Sequence, residues 1–274
     1  MIEQLELVLK EALESKKPSL VIDAMEYSLL SVGKRVRPHL TFKLLHDYGI
    51  EDERAVYAAA AVECIHTYSL IHDDLPALDN DDMRRFKPTN HIVYGEDIAI
   101  LAGDGLLTLA FELLAKAKLD AKYFEILARN AGTQGMILGQ EIDIKDSLHS
   151  LEELERCYEL KTGALFSASL EFAAHLANDL DNIDTVKKIA VLLGIVFQFQ
   201  DDLLEVQSDA QTIGKSTDSD AERNISTITS YMTLDEALVY VDDMFEKLDK
   251  LIDTLNLKNN TLKEYIKVLT QRKI

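Results

Sequence analysis

Apolar residues recur every three or four positions along most of this chain, which is the spacing of amphipathic helices. Ile2, Leu5, Leu9 and Leu13 form the first such stripe. The same pattern, interrupted by Gly, Pro and short polar breaks, predicts helices over Val21–Val32, Pro38–Tyr48, Glu53–Asp74, Asp97–Lys118, Lys122–Ile142, Leu151–Ala177, Ile183–Val206, Ile225–Tyr231, Leu234–Leu255 and Leu262–Gln271.

The composition supports an all-α fold. Gly and Pro are few, at 11 and 4, and helix-favouring residues dominate long stretches. The segment from Leu75 to Gly95 is polar and contains Pro76 and Pro88, so it is predicted to be irregular. With 274 residues and no linker-like tract, the chain is expected to form one domain over residues 1–274.

The charge limits the possible ligands. A formal net charge of -19 repels nucleic acid and anionic lipid, so an anionic ligand needs local cations. Cys64 and Cys157 lack metal-ligand spacing and are expected to be reduced, buried thiols. The acidic N-terminus and the short longest apolar run, Ile189 to Phe197, lead us to expect an unprocessed, cytoplasmic protein with no stable membrane insertion.

Five aspartates lie between positions 73 and 82. On a straight helix with roughly 100° per residue, Asp79 would lie about 240° around the axis from Asp73. Pro76 removes a backbone donor and clashes with the preceding turn, so the helix is expected to deform between them. The two carboxylates could then share one metal ion.

A second acidic stripe is predicted on a later helix. Gln198, Asp201, Asp202 and Glu205 recur at i, i+3, i+4 and i+7. A solvated helix face is the alternative, but the basic residues that such a face usually carries four positions away are missing here. Like charges about 4 Å apart repel by roughly 4 kcal/mol at an effective dielectric near 20, so a cation would explain the cluster. Oxygen ligands favour Mg²⁺ ahead of Ca²⁺, because Mg²⁺ shares its shell with substrate phosphates.

Two basic clusters, GKRVRP at 33–38 and MRRFKP at 83–88, stand beside these acids. Guanidinium groups bind phosphate bidentately and Lys adds a mobile point charge. Adjacent Arg84 and Arg85 would diverge by about 100° on a helix and could serve two anions. Each cluster alone could be a surface patch, but their combination with the acids favours diphosphate binding.

Five motifs occur in one order: GKRVRP, HTYSLIHDDLPALDNDDMRRFKPTNH, GQEID, KTGALF and FQFQDDLLEV. In this order and spacing they resemble the signature set of bacterial farnesyl and geranylgeranyl diphosphate synthases, the trans-prenyl diphosphate synthases. The likeness covers nearly the whole chain. It implies an all-α, isoprenoid-synthase-type bundle of roughly ten or more helices around a deep central cavity. It also implies a homodimer, with the two acidic motifs facing each other across the cavity mouth.

The resemblance assigns roles to individual residues. The Mg²⁺ ligands would be Asp73, Asp79 and Asp201, with supporting acids Asp74, Asp143, Asp202 and Glu205. The allylic diphosphate site would comprise Arg84, Lys161, Thr162, Gln198 and Lys215. The isopentenyl diphosphate site would comprise Lys34, Arg37, His66 and Arg85, with the Arg272-Lys273 tail closing over it. The catalytic group among these would be Asp73, Asp74, Asp79, Arg84, Lys161, Gln198 and Asp201.

The implied reaction is Mg²⁺-assisted ionisation of an allylic diphosphate, condensation with isopentenyl diphosphate, and elimination of a proton. About three Mg²⁺ ions are expected with substrate bound. Tyr68 and Ser69 precede the first aspartate motif by five and four residues, about 6–7.5 Å further along the helix axis. A large Tyr68 should stop elongation, which predicts farnesyl diphosphate as the product, with geranylgeranyl or geranyl diphosphate as alternatives.

Two positions depart from the resemblance. Glu205 replaces an Asp, and Ile225 stands where a second lysine is expected, which predicts weaker allylic binding unless Arg223 compensates. A class I terpene cyclase is the nearest rival, although GKRVRP, His66 and Arg85 argue against it. A helical His-Asp phosphohydrolase would need further histidines, and a non-catalytic partner subunit would not need intact paired motifs.

Overall fold

The computed structural model describes residues 1–145, 148–212 and 226–270, with the backbone alone at 205 and 207–212. The α-helices are α1 (Ile2–Glu14), α2 (Leu20–Leu29), α3 (Val36–Tyr48), α4 (Arg54–Asp73), α5 (Asn90–Tyr94), α6 (Glu96–Lys116), α7 (Ala121–Ala131), α8 (Met136–Ile144), α9 (Leu151–Tyr158), α10 (Ala164–Leu176), α11 (Ile183–Thr212), α12 (Leu234–Asp253) and α13 (Thr261–Thr270). Glu159–Gly163 is a π-helical segment, Ile228–Ser230 is a 3₁₀ turn, and a two-stranded antiparallel ribbon pairs β1 (Met83–Arg84) with β2 (Lys87–Pro88). The all-α prediction is confirmed.

Side-chain caps fix where several helices begin. The Ser19 hydroxyl accepts a hydrogen bond from an amide in the first turn of α2, and Ser150 does the same for α9. Thr233 and Glu236 form a reciprocal capping box at the start of α12. Each cap satisfies amides that have no partner within their own helix, so these polar residues define the helix starts.

Helix α4 runs through the centre of the main core. Its alanines from Ala58 to Ala61 are fully buried, and such small side chains allow neighbouring helices to approach closely. Helices α1, α3, α6 and α10 pack around it. Because α4 ends at Asp73, this packing also fixes the position of the first acidic motif.

Helix α6 is long and apolar enough to cross a membrane, by length and composition alone. It packs against α2 and α4, and 44% of its most apolar stretch is buried within the protein. Burial in the bundle therefore accounts for much of its apolar character.

A second core surrounds the C-terminal half of α11. Cys157, Tyr158, Phe199 and Val241 meet there and join α9, α11 and α12. Cys157 and Cys64 are both buried and free, as predicted. This second core supports α11 at the level of the second acidic motif.

Several elements differ from the sequence prediction. The expected helix over Lys122–Ile142 is split into α7 and α8, because Gly135 lies so close to the Asn130 carbonyl that a Cβ would be 2.1 Å from its oxygen. The segment predicted to be irregular contains the short helix α5 and the β-ribbon. The expected helix over Ile225–Tyr231 is only the 3₁₀ turn Ile228–Ser230, and residue 225 lies outside the described ranges.

Candidate active site

A cavity of about 1160 Å³ opens beside the C-terminal end of α4 and the middle of α11. Twelve of the residues singled out from the sequence line it: Lys34, Arg37, His66, Tyr68, Ser69, Asp73, Arg84, Arg85, Lys161, Thr162, Gln198 and Asp201. Leu70, Met136, Phe166 and Phe197 add apolar lining. The cavity therefore joins both acidic motifs, both basic clusters and an apolar wall.

Some predicted residues cannot be placed in this cavity. Lys215, Arg223, Ile225 and the Arg272-Lys273 pair lie outside the described residues, and the side chain of Glu205 is not described. Their predicted roles stay predictions.

Asp79 is brought back to Asp73 by a reversal of the chain. Helix α4 ends at Asp73, and the Asp79 amide then donates a hydrogen bond of 2.8 Å to the Asp73 carbonyl. The Asp81 amide similarly donates to the Asp74 carbonyl at 3.2 Å. Proximity thus comes from a loop that folds over the helix end, rather than from a bend within a continuing helix.

The surroundings of the first acidic motif disfavour the ionised form of two of its carboxyl groups. Burial raises the pKa of Asp73 to about 7, Lys161 opposes that rise, and Asp79 adds to it. Burial likewise raises the pKa of Asp74 to about 6, against the opposing charge of Arg84. A cation bound beside these carboxylates would stabilise their ionised forms.

The donor set fits Mg²⁺. Asp73, Asp79 and Asp201 offer carboxylate oxygens, the ligands that a small hard cation prefers. Within the described ranges, no three His, Cys, Asp or Glu side chains already converge as a complete metal site. A bound ion would therefore need further oxygen atoms from substrate or water.

The two cations nearest these acids are held in ion pairs. Arg84 Nε donates to Asp74 Oδ1 at 2.6 Å, and Lys161 Nζ donates to Asp143 Oδ2. Burial opposes the charged form of Lys161, but Asp143, Asp73 and Asp79 together raise its pKa above the usual value. Lys161 therefore stays charged at the cavity.

Lys161 and Thr162 lie on the π-helical segment, which the sequence pattern did not reveal. Three glycines make room for it. A Cβ on Gly139 would lie 2.3 Å from the Lys161 amide nitrogen, and one on Gly194 would lie 2.4 Å from the Gly163 Cα. The wider turn places the Thr162 hydroxyl 2.9 Å from Gln198 Oε1, which accepts its hydrogen bond. Single π turns are frequent at functional sites.

Arg84 and Arg85 diverge for a reason other than the predicted one. Arg84 ends β1 and Arg85 occupies the turn that follows, so neither is on a helix. Arg84 reaches Asp74, whereas Arg85 Nη1 donates to Ser31 Oγ at 3.1 Å. The hairpin, rather than helical periodicity, sends the two guanidinium groups to different sides of the cavity.

The basic wall rests on a buried ion-pair network that the sequence analysis missed. Arg35 Nη1 donates to Glu63 Oε1 at 2.7 Å, and its other nitrogens bind Glu6 and the Leu29 carbonyl. Glu63 is 1% exposed. The sequence did contain a sign of this buried network, since Glu63 is an acidic residue within an apolar run, one helical turn before His66.

Arg37 and His66 complete the basic wall. The Arg37 guanidinium lies 5.3 Å from the centre of the Phe166 ring, and burial lowers its pKa to about 10. Burial and the nearby arginines hold the pKa of His66 well below its usual value. His66 is therefore a neutral hydrogen-bonding group near neutral pH.

Asp202 does not share the environment of Asp201. It is 8% exposed, and its carboxylate accepts hydrogen bonds from the Tyr158 hydroxyl and the Ile228 amide. The resemblance implied a supporting acid of the metal site, which stays a prediction, and the described contacts anchor α9 and the 3₁₀ turn to α11. Gln140, which belongs to the GQEID motif but was assigned no role, lines the cavity with a buried amide nitrogen that has no partner within the described residues.

Comparisons with known proteins identify the family of this chain. The polyprenyl synthetase family model matches residues 18–268. A farnesyl diphosphate synthase of Bacillus subtilis is 38% identical over 93% of this chain and 90% of that protein. A chloroplastic geranylgeranyl pyrophosphate synthase of Capsicum annuum is 40% identical over 86% of this chain and 67% of that protein.

Structural similarity extends the comparison. A geranyltransferase of Helicobacter pylori, solved with magnesium and isoprenyl diphosphate, aligns with a TM-score of 0.80 at 32% identity, over 98% of this chain and 93% of that one. The chain belongs to the polyprenyl synthetase family. Its bundle is of the isoprenoid-synthase type, as the sequence motifs implied.

Proposed function

We propose that this chain is a Mg²⁺-dependent trans-prenyltransferase that makes farnesyl diphosphate. It condenses isopentenyl diphosphate with dimethylallyl or geranyl diphosphate. One observation carries the proposal: Asp73 and Asp201, from helices far apart in sequence, line the same cavity as the basic residues Lys34, Arg37 and Arg85. Such a cavity accommodates two diphosphates and an apolar chain.

Asp73, Asp79 and Asp201 would hold Mg²⁺, about three ions with substrate bound, whose chemistry is to neutralise the departing diphosphate. Arg84 and Lys161 would bind that diphosphate as well, through N–H groups other than those that bind Asp74 and Asp143. The allylic carbon–oxygen bond then breaks and leaves a carbocation. The Thr162 and Gln198 side chains line the cavity where their dipoles can stabilise this positive charge.

Lys34, Arg37 and Arg85 would bind isopentenyl diphosphate, with neutral His66 as a further hydrogen-bonding group. The isopentenyl double bond attacks the carbocation and forms the new carbon–carbon bond. The released pyrophosphate takes the proton lost in the elimination, so no side-chain base is needed. The apolar lining keeps water from the cation.

Tyr68 would set the product length. It lines the cavity on α4, five residues before Asp73, and is 7% exposed. Its bulk favours a fifteen-carbon product over geranylgeranyl diphosphate, which is the second candidate because enzymes of both kinds resemble this chain at similar identity.

Incubation of the purified protein with Mg²⁺, labelled isopentenyl diphosphate and, in turn, dimethylallyl, geranyl and farnesyl diphosphate tests this proposal. We expect farnesyl diphosphate from the first two starters and little product from the third. An Asp201→Asn variant, purified in the same way, is the control and should form little product. Product beyond fifteen carbons would support the geranylgeranyl alternative, and no condensation with any starter would refute the function.

We also propose that the protein is a homodimer. Four large apolar side chains on α5 and α6 are exposed: Ile92, Val93, Ile100 and Leu101. A second copy of the chain would cover them. Light scattering should give twice the chain mass for the parent and the single mass for Leu101→Glu, while Val239→Glu, at an exposed site on α12, should leave the dimer intact. A monomeric parent would contradict this.

A further inference from the structure

The turn between β1 and β2 adopts a backbone that its residues disfavour. Arg85 and Phe86 are the two central residues of this hairpin, with φ of 53° and 62°. Two-residue hairpin turns with positive φ at both positions prefer Asn-Gly, since an aromatic residue there is a steric outlier. Each such residue is strained, because its Cβ lies too close to the following carbonyl oxygen.

Arg85 has an evident reason to be there, but Phe86 has none among the residues that the structure describes. Arg85 Nη1 binds Ser31 Oγ, and its guanidinium lies so close to Gly33 that a Cβ there would be 2.8 Å from Nη1. Phe86 is fully exposed to solvent. Neither its backbone nor its burial in this structure favours an aromatic residue over glycine.

Phe86 nevertheless lies at a defined place, the rim of the cavity. Val32, 89% exposed, lines the same rim. Val32 directly follows Ser31, and Phe86 directly follows Arg85, so the two apolar side chains flank the hydrogen bond between those residues. Lys34, Arg37 and Arg85 line this side of the cavity.

We propose that Phe86 is a water-excluding residue that, together with Val32, covers the isopentenyl side of the cavity when substrate is bound. This inference rests on the proposed function. A bound isopentenyl diphosphate neutralises Arg85 and Lys34 and supplies the surface on which the Phe86 ring packs. The apolar cover strengthens the charged contacts beneath it and keeps bulk water from the allylic cation. Capture of that cation by water would yield an allylic alcohol and a proton.

Two substitutions remove the ring without adding strain. Phe86→Gly and Phe86→Asn both place residues that tolerate positive φ in the turn. We expect each to raise the KM and the calorimetric Kd for isopentenyl diphosphate by about tenfold, as loss of part of the burial of one aromatic ring implies. The ratio of allylic alcohol to condensation product should rise several-fold. Phe86→Tyr should behave as the parent.

Thermal stability separates this role from a structural one. The melting temperature of Phe86→Gly should equal or exceed that of the parent, whereas loss of a structural contact would lower it. Lys118→Gly is a matched backbone control, because Lys118 is exposed with φ of 54° on the α6–α7 connection. Val239→Ala is the control for losing an exposed apolar side chain. Neither control should change the Kd or the alcohol ratio.

The outcomes are distinguishable from failure of the proposed function. A parent enzyme that does not condense the substrates refutes the function itself. A parent that condenses them, with Phe86→Gly and Phe86→Asn showing parental Kd and alcohol ratio, overturns the role of Phe86 alone. A lowered melting temperature in both variants would also overturn it, by assigning the ring to folding.

Discussion

The carboxylate of Asp202 accepts hydrogen bonds of 3.0 and 3.1 Å from the hydroxyl of Tyr158. The same carboxylate also accepts one from the Ile228 amide, while the preceding residue, Asp201, lines the cavity. Neighbouring acids on α11 thus meet different surroundings, one buried against protein and the other facing the proposed substrates.

Asp202→Asn should therefore act mainly on stability. We expect it to lower the free energy of unfolding by about 1–3 kcal/mol, because buried donors lose an ionised acceptor. Tyr158→Phe should cost less, and the double variant should be less destabilised than the sum of the two. Denaturant titrations of the three variants measure this cycle, and strict additivity would contradict the coupling.

Asp201→Asn and Asp73→Asn should act on catalysis. Each would remove a Mg²⁺ ligand, so kcat/KM should fall by roughly 10²–10³-fold or more. The parent should also be stabilised against heat by Mg²⁺ with inorganic pyrophosphate, and these variants much less. Asp243→Asn, at an exposed position on α12, is the matched control. Parental rates in both cavity variants would rule out the proposed metal site.

Tyr68→Ala should lengthen the product. Removal of the ring, which packs edge-on against His72 at 5.7 Å between centroids, deepens the cavity beside α4. Chromatography of the products from geranyl diphosphate should show chains beyond fifteen carbons, and Tyr68→Phe should keep the parental length. Unchanged products from Tyr68→Ala would show that another residue limits elongation.

His66 should make the protein less stable in acid. Burial and Arg37 lower its pKa from 6.5, so just below pH 6.5 the unfolded chain binds a proton at this histidine and the folded protein does not. The free energy of unfolding should therefore fall as pH decreases below about 6.5. Urea titrations from pH 8 to 5 should show a shallower loss for His66→Gln than for the parent. The exposed His149→Gln should keep the parental slope, and equal slopes in all three would contradict this account.

Helical periodicity predicted several helices because α1, α12 and α13 each bury one apolar stripe, and α12 also begins at a polar cap. It also placed Asp201 and Gln198 on one face of α11. Periodicity cannot tell which neighbours a residue meets, so it grouped Asp202 with Asp201. In the structure Asp202 binds Tyr158 of α9, whereas Asp201 lines the cavity. The single-domain organisation of the chain stays a prediction.

The features missed from the sequence depend on contacts between distant segments. The π-helical turn at Lys161 exists because Gly139 and Gly194 let backbones touch, and no local residue pattern marks it. The positive φ at Phe86 runs against its local preference, so turn chemistry would not have placed a hairpin there. Glu63 was the exception, since a lone acid in an apolar run indicates a buried partner.

The ion pairs of Arg84 with Asp74 and of Lys161 with Asp143 affect the choice of conditions in a screen for inhibitors. An anionic compound offered without divalent ions must compete with two internal carboxylates for the cations it needs. A compound that arrives as a magnesium chelate would bind Asp73, Asp79 and Asp201 through the metal, so its affinity would depend less on these two cations. Ligand screens run in chelating buffers would therefore underestimate the very molecules that suit this cavity.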